Sequence, residues 1–271
     1  MSSVSEGPLD RILEHEAGDL TCTIEAGIRL SALQEALAAA GQRLSLDPPG
    51  DPTIGACLAL GLSGPLRHRF GAPRDLVLGV TLVLADGTVA NAGGTVVKNV
   101  AGYDLGKLVC GSAGRLAFIG RVSLRLHPLP TSAATVLVET DDPASTVHAL
   151  LASQLVPSAV DVLHPGRVAV LLEGGVAAVA TQVEAMRRLG GAPADPSVWE
   201  ESRSRQAAAH GRARFVPGEL RTFLEEVDEA IARPASGVAY LRQPVANETP
   251  DSLRLLQARI KDRFDPDGVL A

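Results

Sequence analysis

The chain has 271 residues, a length that suits one large domain or two modest ones. Hydrophobic residues make up 46% and charged residues 21%, which argues against disorder, while aromatics at 3% leave the core to Ala, Val and Leu. Lys plus Arg is 25 against 31 for Asp plus Glu, a net charge of −6 that argues against a nucleic-acid binder.

The first residues, MSSVSEGPLD, carry neither a basic region nor an apolar run, and no apolar stretch reaches membrane-spanning length. A cytoplasmic location without a transmembrane segment is therefore expected, any membrane association being made through partners. Cys22, Cys57 and Cys110 are odd in number and match no metal or redox spacing. Free thiols in a reducing compartment are expected, with no metal site. An iron–sulfur cluster bound by this chain alone would lack the usual four thiolates.

In chain order, residues 20–24 alternate as a strand closed by Gly27. LSALQEALAAAG (30–41) then predicts a helix with Leu30, Leu33 and Leu37 on one face, a Ser31/Gln34 capping box and Gly41 as its stop. DPPGDPT (47–53) is irregular, since its prolines remove donors. Residues 75–90 predict a strand and a hairpin turning at Asp86-Gly87. LAFIGRVSLRLHPLP is a further strand ending at Pro128 and Pro130, and a domain boundary is placed there. Beyond it, ATVLVET, VDVLHPGRVAVLLEG and GVAYLRQP predict strands. PASTVHALLASQL, VAAVATQVEAMRRLGG and DSLRLLQARIKDRFDP predict helices. The alternation implies an α+β unit with helices on one face of a small sheet.

Two passages are rich in small residues, TIGACLALGLSGPLRHRFG (53–71) and GGTVVKNVAGYDLGKLVCGSAGRLAFI (93–119). Glycine lets backbone N–H groups approach a ligand closely, but neither passage fits a GxGxxG or GxxxxGK[ST] fingerprint. Taken alone they read as turns, with Asp104 as a helix N-cap before residues 105–109.

The whole pattern is more specific. EAGIRLSALQEALAAAGQRLSLDPP, the TIG at 53–55, SGPLRHRFGAPRDLVLGVTLVLADGT, GGTVVKNVAGYDLGKLVCGSAG and FDPDGVL together resemble the FAD-binding domain of the vanillyl-alcohol oxidase superfamily, the PCMH type. Within it the chain is most similar to the E subunits of bacterial glycolate oxidases, over nearly its entire length. The resemblance implies an α+β chain. Residues 1–130 would be a partial PCMH-type FAD-binding domain lacking its N-terminal lobe, and 131–271 a small α+β (ferredoxin-like) domain. It implies FAD as cofactor, with Thr53, Ile54, Gly55, Ser63 and Gly64 on a first wall. Lys98, Asn99, Gly102, Tyr103 and Asp104 would lie nearer the flavin ring, and Gly111, Ser112, Gly114 and Ile119 on the ribityl and adenine side.

The implied function is that of a FAD-binding subunit of a glycolate (2-hydroxy acid) oxidase or dehydrogenase complex, passing electrons through flavin to an iron–sulfur partner. Its partners would be a related flavoprotein subunit and an iron–sulfur subunit. A stand-alone flavin-dependent alcohol or lactone oxidoreductase and a degenerate, non-catalytic scaffold subunit are the alternatives. The chain departs from the family pattern at Ala56 and Ala117, where glycines are usual, and at Gly61, where Asn is common. Ala56 is expected to weaken cofactor binding if its φ must be positive. None of the six histidines clusters with another. His68, within RHRFG, lies best, but no catalytic residue is nominated.

Overall fold

A computed structural model describes residues 9–94, 104–245 and 249–270. The chain divides into two compact units, Met1–Ser63 with Gly71–Leu129 and Glu248–Ala271, and Gly64–Phe70 with Pro130–Asn247.

The first unit opens with β1 (Ile12–Glu16), β2 (Thr21–Glu25), α1 (Leu30–Ala38), β3 (Gln42–Arg43) and α2 (Ile54–Leu60). After α3 (Arg67–Phe70), which belongs to the second unit, come α4 (Pro73–Leu76), β4 (Val77–Val83), β5 (Val89–Gly93), α5 (Leu105–Val109), β6 (Phe118–Arg125) and β7 (His127–Pro128). Its main sheet runs β1-β2-β6-β4-β5, antiparallel throughout, and β3 pairs with β7. Period-two alternation turns Cys22, Ile24, Leu82, Val122 and Leu124 toward α1 and α2, whose Leu33, Leu37, Ile54 and Leu58 meet them in one core. The β4–β5 hairpin turns at Asp86-Gly87 as predicted. Gly87 has φ +81°, and the Asp86 carboxylate accepts the Thr88 N–H at 2.8 Å.

Helix α1 buries the expected leucines, but its start is built differently. Arg29 is the N-cap and offers no side-chain cap. Ser31 instead donates its N–H and its hydroxyl to Asp51, both at 2.9 Å, which holds the Asp51 carboxyl below its usual range. Gln34 exchanges two hydrogen bonds with the Leu44 backbone instead of reaching back. The proline-rich segment 47–53 thus supplies the acceptor that the capping box would have provided.

The second unit contains β8 (Ser132–Glu139), α6 (Pro143–Leu151), β9 (Ala159–His164), β10 (Arg167–Gly174), α7 (Val176–Arg188), β11 (Ala192–Ala194), α8 (Ser197–Ala207), β12 (Gly211–Arg214), α9 (Leu220–Glu225), β13 (Ala230–Arg233) and β14 (Val238–Leu241). The last helix is α10 (Asp251–Phe264), assigned to the first unit. The second sheet has seven antiparallel strands in the order β11-β8-β10-β9-β13-β14-β12. Its even-numbered β9 positions Val160 and Val162 pack with Val147, Val179, Met186 and Leu220 of α6, α7 and α9. The odd positions Ala159 and Leu163 pack with Val198 and Trp199 of α8. Helices therefore cover both faces. Helix α8 escapes the sequence reading because SVWEESRSRQA carries only Val198 and Trp199 as large apolar residues. No helix among the described residues is long and apolar enough to cross a membrane.

Candidate functional site

Helix α2 begins at Thr53, whose hydroxyl accepts the Ala56 N–H at 3.2 Å, and ends at Gly61 in the left-handed conformation. Its first turn lies against the segment that follows β2. The Gly55 N–H donates to the Ala26 carbonyl at 2.6 Å, and a Cβ at Gly55 would stand 2.9 Å from that oxygen. Glycine is therefore required there by close backbone approach.

The second small-residue passage closes on the other end of α2. The Gly111 N–H donates to the Leu58 carbonyl at 2.8 Å, which also accepts Gly61, and the Ala113 N–H donates to the Ala59 carbonyl at 2.7 Å, so the loop is hydrogen-bonded to the last turn of α2. Ala113 and Gly114 both carry positive φ, +55° and +78°. The Gly114, Leu116 and Ala117 amides have no backbone acceptor among the described residues.

Between these pieces lies a cleft of about 320 Å³ lined by Thr53, Gly55 and Ala56 of α2, by Gly114, Ala117 and Ile119, and by Leu270. No charged side chain lines it. A small-residue cleft bordered by amides without backbone acceptors suits a broad, flat ligand that also offers hydrogen-bond acceptors. Space for a Cβ at Gly114 is open, so nothing from the chain occupies the position beside that backbone.

Of the residues expected at the site, Thr53, Gly55, Gly114 and Ile119 converge on this cleft. Gly111 joins its loop to α2. The Ile54 side chain is instead fully buried in the core, and Ser63 is buried at the end of the first unit's opening segment. Gly64 begins the segment assigned to the second unit. The Ser112 hydroxyl is buried without a hydrogen-bond partner. Asp104 caps α5, accepting the Lys107 N–H at 3.0 Å and pairing with its ammonium at 2.9 Å. Lys98, Asn99, Gly102 and Tyr103 lie outside the described residues. Ala26, Gly27, Ala59, Phe118 and Leu270 also line the cleft, outside the set that the family resemblance implies. The quoted EAGI and FDPDGVL segments were the available signal for Ala26, Gly27 and Leu270.

The departures from the family pattern have a definite place. Ala56 lies inside α2 and Ala117 just before β6, and neither has a positive φ. The methyl of Ala56 is therefore unstrained, which removes the expected backbone penalty. His68 sits in the second unit, where burial pulls its pKa down against the opposing pull of the Asp161 carboxylate. A larger cleft of about 590 Å³ in that unit presents Arg167 and Arg205. Arg167 is bound through two nitrogens to Glu201, and Arg205 donates to the His164 carbonyl at 2.8 Å. None of the expected site residues lines that cleft.

Residues 3–93 match a protein-family model described as a FAD binding domain. Over 200 residues the chain is 32% identical to the glycolate oxidase subunit GlcE of Escherichia coli (strain K12), covering 72% of this chain and 56% of that protein. It is 31% identical over 160 residues to the glycolate oxidase subunit GlcD of Bacillus subtilis (strain 168), covering 57% of this chain and 34% of that one. The chain thus spans about half or less of these curated relatives. A solved structure of alkyldihydroxyacetonephosphate synthase superposes with a TM-score of 0.70 at 16% identity, covering 97% of this chain and 65% of its own, and shares the fold.

Proposed function

We propose that the chain, whose residues 3–93 match a FAD binding domain, is a PCMH-type FAD-binding subunit of a glycolate or related 2-hydroxy-acid dehydrogenase complex. The observation that carries the reading is the convergence of Thr53, Gly55, Gly114 and Ile119, from distant parts of the sequence, on one cleft of small residues. In this reading the amides of the loop at 114–117 bind acceptor atoms of FAD, and Gly55 keeps the floor low enough for close approach. Lys98, Asn99, Gly102 and Tyr103, which lie outside the described residues, are the flavin-ring contacts that the family resemblance implies. Bound FAD supplies a two-electron acceptor for oxidation of the hydroxyl-bearing carbon.

Two relatives that are themselves glycolate oxidase subunits support the assignment to a multi-subunit enzyme. A related flavoprotein subunit and an iron–sulfur subunit are the proposed partners, with electrons passing from flavin to the latter. Substrate activation would then fall to the partner flavoprotein. The decisive experiment is the visible spectrum of the purified chain after incubation with excess FAD and desalting, followed by dye-linked glycolate oxidation with and without co-expressed subunits. Retained flavin with turnover only in the complex is the expected result. A colourless chain overturns the cofactor assignment, and turnover by the chain alone overturns the subunit role.

A further inference from the structure

Beyond the last turn of α10, the chain folds into a closed turn around one carboxylate. Asp265 has its side chain fully withdrawn from solvent and accepts the Val269 N–H at 2.7 Å on Oδ1. Its Oδ2 accepts the Leu270 N–H at 2.9 Å and the Lys261 ammonium at 2.5 Å. Gly268, with φ +66°, makes the reversal possible. The Lys261 ammonium spends its other two donors on the Leu270 carbonyl at 2.7 Å and the Arg115 carbonyl at 3.0 Å.

Both of those carbonyls belong to walls of the small-residue cleft. Leu270 lines it directly, and Arg115 lies between the lining residues Gly114 and Ala117. The loop carrying Arg115 has two consecutive positive-φ residues and is tied to α2 through Gly111 and Ala113, while the Gly114, Leu116 and Ala117 amides beyond them have no backbone acceptor among the described residues. Lys261 adds a tie on the cleft side of this loop, and Asp265 is one of the two groups that hold its ammonium there. Charge-assisted bonds of this kind are among the stronger ones available to a loop.

We propose that Lys261 and Asp265 are positioning residues for the cofactor cleft, a clamp that fixes Leu270 and the 114–117 loop in the arrangement that receives FAD. The role rests on the FAD reading above, and it concerns residues whose side chains do not line the cleft. Lys261 supports Asp265 in turn by holding its carboxyl below the usual range, so the clamp stays ionised at neutral pH.

The test uses the full chain and two readouts, FAD affinity by quenching of flavin fluorescence and amide hydrogen exchange by mass spectrometry. Lys261→Met is expected to weaken FAD binding by roughly tenfold and to raise exchange together at residues 115–118 and 266–270. Lys261→Arg, which keeps the charge and donors, should recover most of the affinity. Leu270→Ala should weaken binding while leaving exchange at 115–118 unchanged, and it guards against a Lys261 variant that fails to fold. Lys261→Met binding FAD within about twofold of the unaltered chain, with unchanged exchange, overturns the clamp. If the unaltered chain binds no FAD, the FAD reading fails. The clamp then stands or falls on whether Lys261→Met loosens the two segments together.

Discussion

Arg233 and Asp161 face each other on neighbouring strands β13 and β9, Nε 3.3 Å from Oδ1, with their side chains only 1% and 0% exposed. The Asp161 carboxylate also accepts the Ser202 hydroxyl at 2.5 Å, the Arg233 guanidinium donates to Gln206 at 2.6 Å, and the Tyr240 ring lies 5.0 Å from it. The network pins α8 to its face of the second sheet. Removing one member of a buried pair strands the other charge, at a cost of about 3–5 kcal/mol, whereas replacing both by apolar groups is far milder. Arg233→Met should therefore destabilise the second unit more than the Asp161→Leu/Arg233→Met double variant does. Trp199, the sole tryptophan, lies in the same layer, so its fluorescence during urea unfolding reads the effect. Additive single and double effects would count against a coupled network.

Ala56 and Gly55 are neighbours with opposite expected behaviour. Ala56 is helical, so Ala56→Gly should lower stability by about 0.5–1 kcal/mol and change FAD affinity by less than about threefold. Gly55→Val places a branched side chain where even a Cβ would meet the Ala26 oxygen at 2.9 Å. It should abolish flavin retention after desalting or prevent folding of the first unit. A large gain in flavin affinity from Ala56→Gly would show that the methyl does obstruct the cofactor.

These two residues also show what the sequence made legible. Apolar periodicity located most strands and helices, because cores select side chains by face. The glycine-rich passages marked the cleft because close backbone approach permits only small residues at Gly55. Less visible were features set by distant partners. Ser31 and Gln34 fit a capping box by spacing, yet Asp51 and the Leu44 backbone outcompete it. Helix α8 carries only two large apolar residues because its buried face is largely polar, with Ser202 and Gln206 serving Asp161 and Arg233. Asp104 shows the converse. Its local reading as an N-cap is what the structure displays.

Asp142 caps α6 by accepting the Ser145 N–H at 3.0 Å and accepts the Arg221 guanidinium at 2.8 Å, which together hold its pKa at about 2 against an ordinary 3.8. A depressed carboxyl contributes stability that is fully present above the unfolded pKa and disappears as pH falls through the folded one. Asp142→Asn keeps an acceptor for the cap and removes the charge. The stability gap between the two proteins should be constant from pH 7 down to about 4 and shrink between about 4 and 2. Urea midpoints across that range provide the check, and a gap independent of pH would exclude the ionic contribution.

The three thiols offer the most direct view of the first unit's packing. Burial raises the pKa of Cys22 and Cys57 to about 12 each, and that of Cys110 to about 11. At pH 8 the thiolate fraction is then on the order of 10⁻³ or less for each, and the thiolate is the reacting species. Cys22 and Cys57 are also closed to solvent, whereas Cys110 is partly exposed. A disulfide reagent should label Cys110 first and slowly, and the other two together, at the rate at which the unit opens. Ligand that binds only the folded state lowers that opening population. Added FAD should therefore slow labelling of Cys57, which sits in the helix whose first turn lines the cleft, in proportion to its occupancy. Rapid labelling of Cys22 or Cys57 in the native chain would contradict the packing of α2 against the sheet. Labelling of Cys57 unaffected by FAD would contradict the site.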